Sequence, residues 1–223
     1  MTEETILQVD KDLLREGLLK YTRKAFHILP ELDKPCILDV GCGSGIPTME
    51  LARLSNGHIT GLEIDQLLLD RLTKKIEKAG LSDRVEAVKC SMSDMDFPDE
   101  IFDIIWAEGS IAAIGFKRGL EQWRRFLKSK GFLVVHDEIG NITEKLEQVS
   151  GCGYDLVEYF ALHEDTWWTE YYAPLEKRVN EIRIKYTGDP KVLMALDDDQ
   201  REIDMVKRDP GRSESVFFIM RKR

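Results

Sequence analysis

A short apolar run that leads directly into a glycine-rich turn is the feature of this sequence that most limits its fold. The run covers Cys36–Val40 and is followed by Gly41, Gly43 and Gly45. An apolar run of this length, bounded by glycines, is typical of a buried strand. Glycine has no Cβ and tolerates positive φ, so such a turn brings bare backbone close to a ligand. Because ligands of open α/β folds lie at the carboxyl ends of strands, the turn predicts a binding site.

Strand and helix patterns alternate through about the first 140 residues. Helical spacing of apolar residues predicts helices over Asp10–Leu29, Ser44–Leu54, a segment from the N-cap Asp65 to Ala79 with Gly80 after its end, and Gly119–Lys128. Short apolar runs predict strands over Cys36–Val40, His58–Leu62, Arg84–Lys89, Ile101–Trp106 and Phe132–Val135. Alternation with short connections predicts a parallel sheet covered by helices on both faces.

The pattern after this region is less regular. It predicts helices over Ile142–Val149, Glu176–Lys185 and Lys191–Lys207, and strands over Tyr154–Leu162 and Ser215–Met220. No stretch rich in Pro, Gly or Ser separates these segments from the rest, so we predict one domain with a C-terminal elaboration.

An acid follows the second predicted strand. Glu63 lies about 20 residues after the glycines, where an acid of nucleoside-binding α/β folds accepts hydrogen bonds from both ribose hydroxyls. The alternative is a carboxylate that only favours the start of the next helix, but Asp65 serves that position better. The dinucleotide fingerprint G-x-G-x-x-G would place its third glycine at Ile46. This mismatch argues against a nicotinamide site.

At this point the chain resembles the class I S-adenosylmethionine-dependent methyltransferases. The resemblance is to their small-molecule branch, which includes the ubiquinone/menaquinone biosynthesis methyltransferases. The motifs that carry it lie at residues 37–45, 61–65, 88–92 with 96–103, and 127–135. They span about residues 35–138 and occur in the family's order and spacing.

The resemblance implies a Rossmann-like three-layer sandwich, with a mostly parallel seven-stranded sheet and helices on both faces. It also implies one methyltransferase domain over residues 1–223. Within it we expect an N-terminal helical cap at 1–34, a cofactor-binding core at 35–140, and a C-terminal elaboration at 141–223 that completes the sheet.

The implied cofactor is S-adenosylmethionine, with S-adenosylhomocysteine as the product. The residues that the resemblance assigns to it are Asp39, Gly41, Gly43, Gly45, Glu63, Ile64, Ser91, Met92 and Glu108. Ile64 is expected against the adenine ring, the Met92 backbone at the adenine edge, and Glu108 near the methionine portion. Ser91 stands where the family usually has an acid, but its hydroxyl can still accept a bond from the adenine amino group. Lys130 replaces a glycine in the turn before the fifth strand.

Methyl transfer from a sulfonium needs alignment of the acceptor more than it needs a nucleophile or a metal. A general base is required only when the acceptor must lose a proton. His136 is a candidate for this base, and a hydrogen-bonded structural histidine is the alternative. The aromatic block Trp167–Tyr172 has two interpretations that stay open, a roof over the acceptor together with the N-terminal helix, or a core beneath the C-terminal elaboration.

Charge and cysteine usage narrow the partners. The net charge of −9 and the pI of about 5.1 disfavour nucleic acid, which needs a basic face. No two of the four cysteines have CxxC spacing, the first residues lack the pattern of a signal peptide, and no apolar run approaches ~18 residues. We therefore expect a cytoplasmic enzyme with a small-molecule acceptor, without a metal site or stable membrane insertion. The alternatives are a catalytically silent S-adenosylmethionine-binding protein and, less favoured, a nicotinamide-dependent oxidoreductase.

Overall fold

The structure is a computed structural model that describes residues 10–209, 211 and 214–223. The described residues form two compact units. The larger unit comprises residues 19–161 and 215–223, and the smaller unit comprises the described residues among 1–18 and 162–214. The expected single domain over residues 1–223 stays a prediction.

A seven-stranded sheet organises the larger unit. Its strands are β1 (Cys36–Val40), β2 (His58–Glu63), β3 (Val85–Lys89), β4 (Phe102–Glu108), β5 (Leu127–Glu138), β6 (Tyr154–Ala161) and β7 (Ser215–Lys222). Their order is β3-β2-β1-β4-β5-β7-β6. β1 to β5 pair in parallel, and only β7 runs antiparallel to both of its neighbours. This arrangement confirms the expected mostly parallel, Rossmann-like sheet.

Nine α-helices occur in the described part of the chain. They are α1 (Lys11–Glu16), α2 (Leu19–Ile28), α3 (Ile46–Leu54), α4 (Gln66–Ala79), α5 (Phe116–Trp123), α6 (Ile142–Gly151), α7 (Ala173–Lys185), α8 (Pro190–Ala195) and α9 (Asp197–Arg208). Asp65 caps α4 by accepting a bond from the Leu67 amide, and Gly80 ends it with φ of 65°. Both caps agree with the sequence prediction.

Helices of the larger unit cover both faces of the sheet. Leu38 of β1 shares an apolar core with Leu120 and Trp123 of α5. The next side chain, Asp39, points to the opposite face, where it bonds Thr48 of α3. Successive side chains of a strand alternate between faces, so two helical layers enclose the sheet.

The smaller unit has an apolar core of its own. Its buried members come from α7 to α9 and the segment before α7; they are Tyr171, Leu175, Val179, Ile182, Val192, Leu196 and Ile203. Leu14 and Leu18 from the N-terminal segment pack against this core.

Two predicted helices were wrong because each is interrupted. The segment Asp10–Leu29 divides into α1 and α2, since the amides of Gly17 and Leu18 bond back only three residues. Glycine has a low helix propensity, and such tightened bonds end a helix. The segment Lys191–Lys207 divides at Leu196, whose amide also bonds three residues back, to Leu193.

The predicted helix Gly119–Lys128 and strand Phe132–Val135 were wrong in their bounds. The helix ends at Trp123, and β5 already begins at Leu127. Leu127 is fully buried and pairs with Phe102 of β4, so strand pairing outweighs the helical spacing. Similarly, the predicted helix Ser44–Leu54 begins at Ile46, because Gly45 has φ of 86°.

Candidate functional site

The glycine turn after β1 has left-handed backbone at all three glycines. The φ angles are 70° at Gly41, 56° at Gly43 and 86° at Gly45. A Cβ would lie 2.4 Å from the Ser110 Cβ at position 41 and 2.3 Å from the Leu72 Cδ1 at position 45. A Cβ at position 43 would have nothing within 4 Å. The turn is therefore packed at its two ends and open at its middle, as a ligand cradle requires.

Glu63, at the end of β2, lies across this turn. Its Oε2 accepts a bond from the Gly43 amide at 3.0 Å. Its Oε1 accepts bonds from the amides of Ile64 and Asp65 at 2.8 and 3.1 Å. Three backbone donors therefore fix the carboxylate beside the open position of the turn.

The sheet order brings the acids of three strands to one edge. The neighbours of β1 are β2 on one side and β4 on the other. The chain therefore adds strands on one side of β1 up to β3 and on the other side from β4 onward, although these strands stay parallel. Ligands of α/β sheets bind at such a switch point, outside the carboxyl ends of the strands. Ser110, just after β4, links this segment to the end of β1 by donating a 2.5 Å hydrogen bond to the Val40 carbonyl.

Asp39 is a buried carboxyl group within β1. The Thr48 hydroxyl donates to its Oδ2 at 2.6 Å. Burial raises the pKa of Asp39 to about 7, and the charges of Glu108 and Glu63 add to the increase, whereas the Thr48 bond opposes it. Asp39 thus changes charge near neutral pH.

Glu108, at the end of β4, is held by two donors. Its Oε1 accepts bonds from the Thr22 hydroxyl at 2.9 Å and the Trp106 indole at 2.8 Å. Thr22 lies on α2, and both donor residues are buried. The sequence interpretation missed Thr22; its position on the helix face of Ala25, three residues on, was the available signal.

The residues expected near adenine lie beside the turn. Ile64 is 64% exposed, so its side chain is open to a planar ring. The Met92 methyl lies 3.5 Å from where a Cβ of residue 41 would be. The Ser91 hydroxyl accepts a bond from the Ser93 amide at 3.2 Å. Ile64 therefore follows the acid that bonds Gly43, and the Met92 methyl lies next to Gly41.

His136 lies at the same sheet edge. It is paired in register with Glu108 of the neighbouring strand and is 7% exposed. Its Nε2 is 2.9 Å from the Ser215 hydroxyl, and its ring stacks on Phe217 at 4.2 Å between centroids. These contacts give the imidazole a fixed orientation, and its role as a base stays a prediction.

The aromatic block lies in the smaller unit. Trp167, Tyr171 and Tyr172 contact one another at centroid distances of 5.0 to 6.3 Å. Tyr171 belongs to the buried core, whereas Trp168 and Tyr172 are half-buried. Core packing therefore accounts for Tyr171, and a role of the block in acceptor binding stays a prediction.

The described residues contain no helix long and apolar enough to cross a membrane. The same residues contain no group of three or more His, Cys, Asp or Glu side chains arranged to hold a metal ion.

The sheet order, the glycine turn after β1 and the acid that ends β2 define the class I methyltransferase fold. Residues 37–131 match the family model described as a methyltransferase domain. The matched segment runs from β1 to the start of β5 and contains the turn, Glu63 and Glu108.

Known proteins similar to the chain include methyltransferases. The sterol 24-C-methyltransferase ERG6A of Gibberella zeae is 38% identical over 123 residues, which are 55% of this chain and 32% of that protein. The chain covers 27–41% of the length of the sterol methyltransferases first matched.

Two solved structures share the fold. A methyltransferase from Geobacter sulfurreducens, solved with S-adenosyl-L-homocysteine, has a TM-score of 0.70 at 17% identity and covers 93% of this chain and 91% of its own. The (4+2)-cyclase SpnF has a TM-score of 0.74 at 19% identity and covers 91% of this chain and 80% of its own.

Proposed function

We propose that this protein is an enzyme that transfers a methyl group from S-adenosylmethionine to a small-molecule acceptor and releases S-adenosylhomocysteine. The observation that carries the proposal is the Glu63 carboxylate bonded across the open Gly43 position of the turn. A bare backbone cradle beside an acid suits a nucleoside, because the backbone allows close approach and the acid accepts from ribose hydroxyls.

The backbone contacts of Glu63 limit how many hydrogen bonds its carboxylate can accept from the ribose. An ionised carboxylate offers about four acceptor positions. Backbone amides occupy two on Oε1 and one on Oε2 among the described residues. We assign the remaining position, on Oε2, to a ribose hydroxyl. The proposal is therefore one ribose hydroxyl at Glu63, where the sequence predicts both.

The remaining cofactor contacts follow from position. Exposed Ile64 provides an apolar surface for the adenine ring, and Ser91 with the Met92 backbone provides its polar edge. Glu108 and Asp39 are assigned to the methionine portion, whose ammonium group is cationic. The charge of Glu108 helps to raise the pKa of the buried Asp39 carboxyl, and a cation placed near both groups would stabilise their charged forms.

The bound cofactor supplies an activated methyl group, and the protein aligns the acceptor and excludes water. His136 is our candidate for taking a proton from the acceptor, because it shares the sheet edge with Glu108. The proton of the acceptor would pass to an imidazole nitrogen of His136 before or during methyl transfer.

The acceptor and location are inferred from charge and chemistry. Sterol methyltransferases are among the similar proteins, and a net charge of −9 is poorly suited to nucleic acid or anionic membrane surfaces. We therefore propose a small molecule as the acceptor. All four cysteines are free thiols, as suits a reducing compartment such as the cytoplasm.

Calorimetry with S-adenosylmethionine, S-adenosylhomocysteine and NAD tests the cofactor assignment. We expect binding of the first two and no comparable affinity for NAD; the reverse result overturns the proposal. A methyl-release assay over a panel of small acceptors then tests turnover. The methyl-release assay is needed because a (4+2)-cyclase has the same fold, so the fold by itself does not identify the reaction. Binding without methyl release would favour the silent cofactor-binding protein.

A further inference from the structure

We infer that Thr22 and Trp106 are positioning residues that orient the Glu108 carboxylate toward the amino-acid portion of the bound cofactor. The inference rests on the proposed function and deepens it by adding α2 to the cofactor site. Thr22 lies outside the residues that match the methyltransferase domain family, which begin at position 37. The bond from Thr22 to Glu108 therefore joins α2, which precedes the matched segment, to a strand within that segment.

The geometry at Glu108 is that of a carboxylate with a constrained plane. Two donors from different elements, the Thr22 hydroxyl at 2.9 Å and the Trp106 indole at 2.8 Å, meet at one oxygen, Oε1. Thr22 is 1% exposed and Trp106 is fully buried, so water cannot replace either donor easily. Two bonds to one oxygen fix both the side-chain torsions and the direction in which the other oxygen points.

A neighbouring ion pair holds Thr22 in place. Arg23, the next residue of α2, donates to Glu50 of α3 at 2.6 Å, and Arg53 adds a second bond to Glu50 at 3.3 Å. Because α3 begins directly after the glycine turn, the ion pair links α2 to the helix that follows the cradle. Thr22 therefore sits at a defined distance from the turn as well as from Glu108.

Orientation matters here because the expected ligand group is charged. A carboxylate–ammonium bond is strong only when its direction and length are favourable. A Glu108 side chain that loses one of these donors keeps its charge but is oriented less strictly, and binding must then fix its orientation at an entropic cost. Loss of Thr22 should therefore weaken only those ligands that carry the amino-acid portion.

The test compares two thioether ligands, S-adenosylhomocysteine and 5′-methylthioadenosine, by calorimetry on the full chain. The two share the adenosine and the uncharged sulfur, and only the first carries the ammonium and carboxylate groups. Thr22→Val removes the hydroxyl at nearly constant volume, whereas Thr22→Ser retains it. We expect Thr22→Val to weaken S-adenosylhomocysteine by about tenfold and 5′-methylthioadenosine by less than about twofold. Thr22→Ser should restore the affinity to within about threefold of the wild type.

A double-mutant cycle with Glu108→Gln checks that Thr22 acts through Glu108. Glutamine keeps an oxygen for both donors but removes the charge, so Thr22→Val should add little in that background. Equal weakening of both ligands, no weakening, or full additivity with Glu108→Gln would overturn the inference.

If Thr22→Val does not fold, Trp106→Phe removes the other donor and is judged by the same ligand pair. A wild-type protein that binds neither ligand would instead overturn the proposed function. A wild-type protein that binds both, with an unselective Thr22→Val, would overturn only the positioning role.

Discussion

Replacing Glu63 with alanine is the most direct test of the site. The side chain makes three bonds to backbone amides, of which the one to Gly43 joins β2 to the glycine turn. The variant Glu63→Ala removes this connection together with the acceptor assigned to the ribose. It should therefore act on both ligand affinity and the order of the turn.

The expected loss of affinity can be worked from these contacts. A hydrogen bond from a ribose hydroxyl to a charged acceptor contributes about 1.5–3 kcal/mol. Release of the Gly43 amide adds the cost of ordering the turn on binding, of order 1 kcal/mol. The sum, about 2.5–4 kcal/mol, corresponds to a loss of about 70- to 1000-fold. Stability should change less, because the freed amides of Ile64 and Asp65 are exposed and can bond water.

Calorimetric titration with S-adenosylhomocysteine, paired with thermal melting, measures both effects. Glu86→Ala is the matched control, because Glu86 is a carboxylate on the neighbouring β3 that bonds the Thr60 hydroxyl at 2.7 Å on the surface. The control should bind the ligand as the wild type does. A Glu63→Ala affinity within about threefold of the wild type, or an equal loss in Glu86→Ala, would refute the assignment of the ribose.

Four further variants separate the other parts of the site. Gly43→Ala should weaken S-adenosylhomocysteine about tenfold, because its Cβ enters open space in the cradle; wild-type affinity would contradict the cradle. Its melting temperature should fall less than that of Gly45→Ala, because only the left-handed backbone at position 43 opposes a Cβ there. Gly45→Ala should instead lower the melting temperature, because its Cβ would overlap the Leu72 side chain. Asp39→Asn should raise the melting temperature more at pH 8 than at pH 5. Burial raises the pKa of Asp39 from 3.8 to about 7 in the folded chain, so the contribution of Asp39 to wild-type stability falls as pH rises from about 4 to about 7; a difference that does not vary with pH would count against this. His136→Gln should reduce turnover about a hundredfold at nearly constant cofactor affinity, and full turnover would assign the imidazole to packing.

Much of the fold was predictable because its determinants are local. The strand β1 and the glycine turn follow from consecutive residues, and Asp65 and Gly80 mark both ends of α4 by their own backbone chemistry. The position of Glu63 at the end of β2 also follows from one short run. Such signals depend on a few neighbouring residues, so the sequence alone carries them.

Two of the failures occurred where distant residues decide the structure. Leu127 has helical spacing relative to α5, but its pairing with Phe102 places it in β5. The same reasoning applies to Thr22, whose partner Glu108 lies 86 residues further along the chain. Hydrophobic spacing identifies the face of a helix that is buried, but it does not identify a polar partner on another strand.

The acidic groups at the sheet edge show why stability alone does not account for this arrangement. Asp39 is buried without a cationic partner in its described contacts, and the charges of Glu63 and Glu108 raise its pKa further. Above about pH 7 this repulsion and the burial of charge both oppose folding. A ligand with a sulfonium and an ammonium group would reverse the sign of the interaction and would stabilise the folded chain in proportion to its affinity. Ionised Asp39 therefore destabilises the folded chain by itself and is stabilised by a bound cation, which is the relation expected of a binding site and not of a structural core.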